Sequence, residues 1–161
     1  MIEGLNAVAE ALTGAGSLLL MTHEHPDGDA IGSLVATHRI LSSAGKTAPM
    51  LILDHDEPAV EYRDLVDWDA VVREHGVVGP ETTLVLLDCG NYERSPIKDL
   101  DPSGATVINI DHHHDNTRFG TLNFVDPDAS CTAEIVWRLA DTLGVEIDSG
   151  TADALYAGLI T

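Results

Sequence analysis

An aspartate and two histidines follow directly after an apolar segment in the middle of the chain. Residues 106–110, Thr-Val-Ile-Asn-Ile, have the length and character of a buried β-strand, and Asp111, His112 and His113 come next. A continuous apolar run of this kind is typical of a parallel sheet covered on both faces. In such sheets, the side chains that perform chemistry lie beyond the carboxyl ends of the strands. The segment therefore predicts an α/β fold with a functional site at one end of its sheet.

Two other apolar runs also lead into acidic residues and histidine. The runs are residues 17–21 and 83–87, and the polar residues that follow them are His23, Asp27, Asp29 and Asp88. Several carboxylates, one of them able to bridge two ions, together with imidazoles are the ligand set of dinuclear centres that hydrolyse phosphoesters. Because imidazoles accompany the carboxylates, such a set favours Mn, Co, Fe or Zn over Mg.

The rest of the chain predicts helices between short strands. Apolar periodicity predicts four helices, which cover residues 5–12, residues 31–41 up to Gly45, residues 130–144 and residues 149–160. Further strands are predicted at residues 50–53 and 121–125, and residues 54–80 predict irregular structure with a helical turn or two. We therefore predict a three-layer, Rossmann-like α/β domain, with a mostly parallel sheet and helices on both faces.

Charge and cysteine content exclude several classes of protein. The chain has 27 acidic against 8 basic residues and a formal net charge of −19. This balance disfavours long nucleic acids and anionic membranes as partners. Its two cysteines show no zinc-type spacing, and its N-terminus shows no signal peptide, so we expect a cytoplasmic protein.

Three motifs in this chain resemble those of the DHH phosphoesterase superfamily. The first, H-x-x-P-D-x-D, is matched at residues 23–29, and the second, an aspartate that closes a strand, is matched by Asp88. The third, the D-H-H triplet within N-I-D-H-H-x-x-N, is matched at residues 109–116. Residues 128–134 and 157–161 are similar to the branch that contains oligoribonucleases and phosphoadenosine-phosphate phosphatases.

The resemblance implies a cofactor and a set of metal ligands. It implies two Mn²⁺ ions, with Mg²⁺, Co²⁺, Fe²⁺ or Zn²⁺ as alternatives. His23 and Asp27 would bind one ion and Asp29 and His112 the other, while Asp88 would bridge them.

The resemblance also implies catalytic and substrate-binding residues. His113 would contact the substrate phosphate, and Asp111 would orient an imidazole. Arg94 and His25 are weaker candidates for substrate contact. Ser130 and Thr132 are expected to cap a helix, with anion binding by their backbone amides as the alternative.

The implied function is Mn-dependent hydrolysis of short oligoribonucleotides, of 3′-phosphoadenosine 5′-phosphate, or of both, by a hydroxide held between the two ions. The alternatives are a cyclic- or linear-dinucleotide phosphodiesterase, an enzyme like family II pyrophosphatase, and a noncatalytic nucleotide- or metal-binding fragment. A homodimer is an assembly that the sequence allows. By this resemblance, residues 1–161 form a catalytic domain that stops before the fourth metal motif and lacks the substrate-binding domain.

Overall fold

The computed structural model describes the backbone of residues 2–161 and the side chains from residue 4 onward. Six strands form one sheet in the order β3-β2-β1-β4-β5-β6, and every neighbouring pair is parallel. The strands are β1 Ser17–Met21, β2 Met50–Leu51, β3 Val71–Val72, β4 Thr82–Leu87, β5 Thr106–Asp111 and β6 Leu122–Val125. The three strands predicted to precede the polar residues are therefore adjacent at the centre of the sheet.

Four α-helices accompany the sheet: α1 Ile2–Gly14, α2 Gly28–Ser43, α3 Thr132–Leu143 and α4 Ser149–Leu159. The side chain of Asp148 caps α4 by accepting a hydrogen bond from the Thr151 N–H. No helix within residues 2–161 is both long enough and apolar enough to cross a bilayer.

Residues 54–80 contain three short 3-10 helices, where the sequence predicts irregular structure with a helical turn or two. They also contain the two-residue strand β3, which the sequence does not predict. A two-residue strand has no apolar period of its own. It pairs with β2, in the register Met50 to Val71 and Leu51 to Val72.

The sheet separates two hydrophobic clusters. Because strand side chains alternate, Leu18 and Leu20 of β1 join the cluster under the α-helices, whereas Leu19 and Met21 join the cluster on the opposite face. The larger cluster includes buried residues from all four α-helices. The prediction of an α/β fold with a parallel sheet is confirmed, but all four α-helices share one face.

The direction of the connections explains this arrangement. After β1 the chain passes through α2 to β2, towards one edge of the sheet. After β4 it passes to β5 and β6, towards the other edge, and the loops of these connections place Ile97 and Phe119 in the smaller cluster. Right-handed crossovers that step in opposite directions lie on opposite faces of a sheet. The loop after β4 contains Pro96 and Pro102, which disfavour an α-helix, and it forms the 3-10 turn Tyr92–Arg94 instead.

Two glycines allow the helices beside the predicted site to approach closely. A Cβ on Gly32 of α2 would collide with the backbone of α4, and a Cβ on Gly158 of α4 would lie 2.6 Å from the Ala133 Cβ and 3.1 Å from Asp29 Oδ1. Real Cβ atoms do not approach to 2.6 Å. The close packing therefore brings the first turns of α2 and α3 together above the ends of the central strands.

Candidate metal centre

The loop after β1 is fixed to the end of β4. The buried Thr22 hydroxyl donates to the Leu87 carbonyl at 2.8 Å. His23 is 5% exposed, and its Nδ1 donates to the Glu24 carbonyl at 2.8 Å. This bond places the ring proton on Nδ1 and leaves Nε2 as a free electron-pair donor, 3.7 Å from Asp88 Oδ2. A histidine held in this way has the form that ligates metals.

Asp27 occupies the start of α2 and faces the same space. Its Oδ1 accepts a hydrogen bond from the Ala30 N–H at 3.1 Å, so its carboxylate is the N-cap of the helix. His23, Asp27 and Asp88 each offer one potential ligand atom, and these atoms lie within 4.8 Å of one another. The structure thus brings together the first predicted group of ligands.

Asp88 lies between the two predicted groups of ligands. It directly follows β4 with a φ of +54°, a left-handed conformation that is uncommon outside glycine, and it is 2% exposed. Its Oδ1 accepts a hydrogen bond from the Thr132 hydroxyl at 2.8 Å. Burial, followed by the charge of Asp29, raises the pKa of Asp88 to about 7. A carboxylate in these surroundings is stabilised by a nearby cation.

The Asp-His-His segment completes a second group. His112 Nε2 lies 3.8 Å from both Asp29 Oδ2 and Asp88 Oδ1. Asp88, His112 and His113 also offer potential ligand atoms within 4.8 Å of one another. The sequence analysis assigned His113 to the substrate rather than to an ion, and the geometry places it close enough to Asp88 for either role, with 3.7 Å between Nδ1 and Oδ1.

Asp111 lies behind His113, as predicted for a residue that orients an imidazole. Asp111 is fully buried, and its Oδ1 accepts a hydrogen bond from His113 Nδ1 at 2.8 Å. Burial lowers the pKa of His113, but the hydrogen bond and the charge of Asp111 outweigh it and raise the pKa above its ordinary value. Asp111 therefore stabilises the protonated form of this imidazole relative to a free histidine.

Two asparagines hold the turn that carries this segment. The buried Asn109 side chain donates to the Leu86 carbonyl at 3.3 Å and to the Cys89 carbonyl at 3.0 Å, which ties β5 to the end of β4. Its Oδ1 accepts from Asn116 Nδ2 at 2.8 Å, and the same Nδ2 donates to the Asp111 carboxylate. The sequence analysis quoted both asparagines only as parts of a motif, without a structural role.

Asp29 has a partner that the sequence analysis did not assign to it. Its Oδ2 accepts from the Thr132 N–H at 2.8 Å and its Oδ1 from the Ala133 N–H at 2.9 Å. The sequence analysis gave anion binding by the Thr132 amide as an alternative to capping. The N-terminus of α3 does bind an anion, and this anion is the Asp29 carboxylate. Burial raises the pKa of this carboxyl group. Its assignment as a metal ligand stays a prediction.

The expected capping by Ser130 and Thr132 is wrong in detail. Cys131 is the N-cap residue of α3 and makes no side-chain capping bond. Ser130 lies one residue earlier, where its N–H and its hydroxyl both donate to Glu134 Oε2 at 2.9 Å. The Thr132 hydroxyl, which could have capped the helix, bonds Asp88 instead. The Asp29 side chain of α2 therefore accepts the first N–H groups of α3 in place of a local cap.

The two weaker candidates lie at the margin of the cluster. Arg94 is exposed and makes no ion pair with any residue that the structure describes, while its backbone carbonyl accepts the Glu24 N–H at 2.7 Å. The His25 imidazole is 83% exposed and lies beside Asp56, 3.7 Å from Nδ1 to Oδ1. The sequence analysis missed Asp56 entirely, because a single aspartate in an irregular segment gives no periodic signal.

The fold and the cluster together define a class of protein. It is a parallel α/β protein with a cluster of carboxylates and imidazoles at the carboxyl ends of three adjacent central strands. Within this cluster His23 and Asp88 are buried, His112 and His113 are half-buried, and Asp27 is exposed. The chain belongs to the DHH family, because the family's N-terminal domain matches residues 17–159. This membership confirms the resemblance seen in the sequence motifs.

The names of individual relatives refer to enzymes that act on phosphate compounds. The chain is 38% identical to the bifunctional oligoribonuclease and PAP phosphatase NrnA of Thermus thermophilus, in a match that covers 99% of this chain and 47% of that protein. It is 26% identical to a probable manganese-dependent inorganic pyrophosphatase of Lactobacillus helveticus, over 86% of this chain and 45% of that protein. The chain therefore spans about half the length of these relatives.

A solved structure shows the same fold. An exopolyphosphatase-related protein from Bacteroides fragilis superposes with a TM-score of 0.86 at 20% identity, over 99% of this chain and 50% of that chain. At this level of identity the similarity concerns the fold alone.

Proposed function

We propose that this chain is a phosphoesterase domain that binds two Mn²⁺ ions and hydrolyses short oligoribonucleotides and 3′-phosphoadenosine 5′-phosphate. One observation carries the proposal: the two oxygens of Asp88 face different groups of ligands. Oδ2 lies 3.7 Å from His23 Nε2, while Oδ1 lies 3.8 Å from His112 Nε2. A buried carboxylate with one oxygen towards each group has the arrangement of a bridging ligand.

The donor atoms of the site fit divalent cations. Asp29, Asp88 and Asp111 are at most 6% exposed and lie close enough for their charges to influence one another. Such a concentration of buried negative charge is unfavourable without positive partners. The mixture of carboxylates with imidazoles fits Mn²⁺, which one relative also has in its name. When bound, the two cations would neutralise the substrate phosphate and lower the pKa of a water molecule towards neutrality.

His113 and Asp111 have complementary roles in this proposal. Because His113 Nδ1 donates to Asp111, the ring is held in one orientation, and its other nitrogen is free to donate to a phosphate oxygen. The raised pKa favours the protonated ring that this contact requires. Asp111 is a positioning residue, since it is fully buried and acts through the imidazole.

The charge distribution supports a small nucleotide as the substrate. Three basic side chains form no ion pair within the described residues: Lys46, Arg94 and Arg118. Lys46 donates to the carbonyls of Thr13 and Ala15, whereas the two arginines lie in the loops that follow β4 and β5. In a chain with a net charge of −19, such local positive charge next to the site would bind a few phosphates but not a long strand. We therefore assign substrate contact to Arg94, and keep His25 as the weaker candidate.

The experiment is a hydrolysis assay with the 161-residue chain, with and without Mn²⁺. We expect Mn-dependent release of phosphate from 3′-phosphoadenosine 5′-phosphate and shortening of a trinucleotide of RNA. Asp88→Asn should abolish both activities, and Asp115→Asn, which changes an exposed carboxylate on the same loop as His112 and His113, should retain them.

Other substrates separate the alternatives. Inorganic pyrophosphate and cyclic di-AMP are assayed in parallel, at the same metal concentration. Hydrolysis of either one without hydrolysis of the two proposed substrates would overturn the substrate assignment. Absence of hydrolysis for all four would contradict the proposal that this chain is catalytic.

A further inference from the structure

His25 has an unusual backbone conformation between two of the proposed metal ligands. Its φ of +56° lies in the left-handed region, which is unfavourable for a residue with a Cβ. The imidazole is 83% exposed, so packing of the side chain does not explain the conformation. An interaction of the backbone must hold the turn between His23 and Asp27 in this shape.

The carboxylate of Asp56 provides that interaction. Asp56 ends the 3-10 turn Asp54–Asp56, which follows β2, and its Oδ1 accepts a hydrogen bond from the His25 backbone N–H at 2.9 Å. The residue is 5% exposed. It therefore reaches the turn from another segment of the chain, 31 residues away in sequence.

The stability of the fold does not explain why a carboxylate is buried at position 56. Asp56 Oδ2 is buried and has no hydrogen-bond partner among the residues that the structure describes. The exposed His55 imidazole lies beside that oxygen, with 3.5 Å between Nε2 and Oδ2. A buried carboxylate with one of its oxygens unpaired lowers the stability of a fold. A residue that lowers the stability of the fold and is hydrogen-bonded to a strained turn is a candidate for a functional role.

The other hydrogen bonds of this loop hold its two ends and Glu24, and none of them holds His25 within the described residues. Thr22 and the Glu24 N–H are bonded to the end of β4 and to the loop beyond it, and Asp27 is bonded to the first turn of α2. Between these points, the His25 N–H is held only by Asp56, among the described residues. We propose that Asp56 is a positioning residue that fixes the turn between His23 and Asp27, and so sets the geometry of one metal site. This inference rests on the proposed metal centre.

The consequence is selective for one of the two groups of ligands. Loss of the Asp56 carboxylate would allow the turn to relax and would separate His23 from Asp27. Loss of a residue that orients ligands typically weakens metal binding by about 10- to 100-fold. No hydrogen bond or ion pair within the described residues joins Asp56 to the group formed by Asp29, His112 and Asp88, so the affinity of that group should change by less than about threefold.

Two measurements on the full chain test the inference. The first is Mn²⁺ titration by calorimetry, with His23→Ala used to identify the step that belongs to the His23 group. The second is amide hydrogen exchange at His25 in the metal-free protein. We expect Asp56→Ala to weaken the His23 step by at least tenfold and to accelerate exchange at His25. Asp56→Asn should restore most of both properties, because its amide oxygen can still accept the His25 N–H. His55→Ala is the matched control and should change neither.

Each other outcome has a defined meaning. Unchanged Mn²⁺ affinity and unchanged exchange in Asp56→Ala would overturn the inference, as would an equal loss at both metal steps. A loss of affinity in His55→Ala would indicate that Asp56 and the neighbouring histidines bind a cation themselves, which also overturns it. If the wild-type chain binds no Mn²⁺, the proposed function fails. Exchange at His25 still reports in that case whether Asp56 holds the turn, and unchanged exchange would overturn that role too.

Discussion

Replacement of Asp88 by asparagine should make the metal-free protein more stable at alkaline pH. Burial and the charge of Asp29 raise the pKa of this carboxyl from 3.8 to about 7 in the folded state. At this site the folded protein therefore binds more protons than the unfolded chain between these pH values, and the contribution of Asp88 to stability falls as the pH rises through this range. Asparagine has no charge to bury, and its oxygen can still accept the Thr132 hydroxyl.

The size of the effect follows from the same pKa values. A pKa that rises from 3.8 to about 7 corresponds to about 4 kcal/mol of destabilisation once Asp88 is fully ionised. Because part of this loss is already present at pH 5, the stability of Asp88→Asn relative to wild type should increase by about 3 kcal/mol between pH 5 and pH 8. The informative quantity is the change with pH of the difference in stability between the variant and wild type. Burial of the asparagine N–H groups lowers the stability of the variant by the same amount at every pH.

Urea unfolding in the presence of EDTA measures this change. Asp115→Asn, on an exposed loop, is the control and should stay within about 0.5 kcal/mol of wild type at both pH values. A relative stability of Asp88→Asn that is independent of pH, or that falls as the pH rises, would refute the argument that Asp88 is held in a buried, negatively charged cluster.

Two further substitutions test how the helices meet at the site. Asp29→Ala should lower the free energy of unfolding by about 2 kcal/mol or more, because it leaves two buried N–H groups at the start of α3 without their acceptor, and chemical denaturation at pH 8 measures this loss. Gly158→Ala should cost about 1–3 kcal/mol by overpacking, since its methyl group would lie 2.6 Å from the Ala133 Cβ. Gly14→Ala is the control, because its Cβ would meet no atom within 4 Å. Its melting temperature in thermal unfolding should not fall below that of wild type. Equal melting temperatures for the two glycine variants would contradict the close packing.

Sequence patterns were sufficient for the central strands, because continuous apolar runs there lead directly into charged residues. β1, β4 and β5 agree with these runs to within one residue at each end. The convergence of His23, Asp88 and His112 then follows from the parallel order of the strands. These features depend on local pattern and on general rules of topology.

Contacts between distant segments could not be predicted in the same way. Asp29 accepts hydrogen bonds from a helix more than 100 residues away, and Asp56 bonds a turn that lies 31 residues earlier. The placement of all four α-helices on one face depends on the direction of each crossover, which single-residue patterns do not encode. The interactions that complete the site are therefore tertiary in origin.

The most direct test of the proposed metal centre is anomalous diffraction at the manganese edge from crystals of this chain soaked in Mn²⁺. We predict two anomalous peaks about 3.5–4 Å apart, with Asp88 in contact with both. One peak should lie against His23 and Asp27, and the other against His112. Crystals of Asp88→Asn should show neither peak at the same Mn²⁺ concentration. Peaks that lie away from Asp88, or peaks that persist in Asp88→Asn, would contradict the assignment of a bridged metal centre.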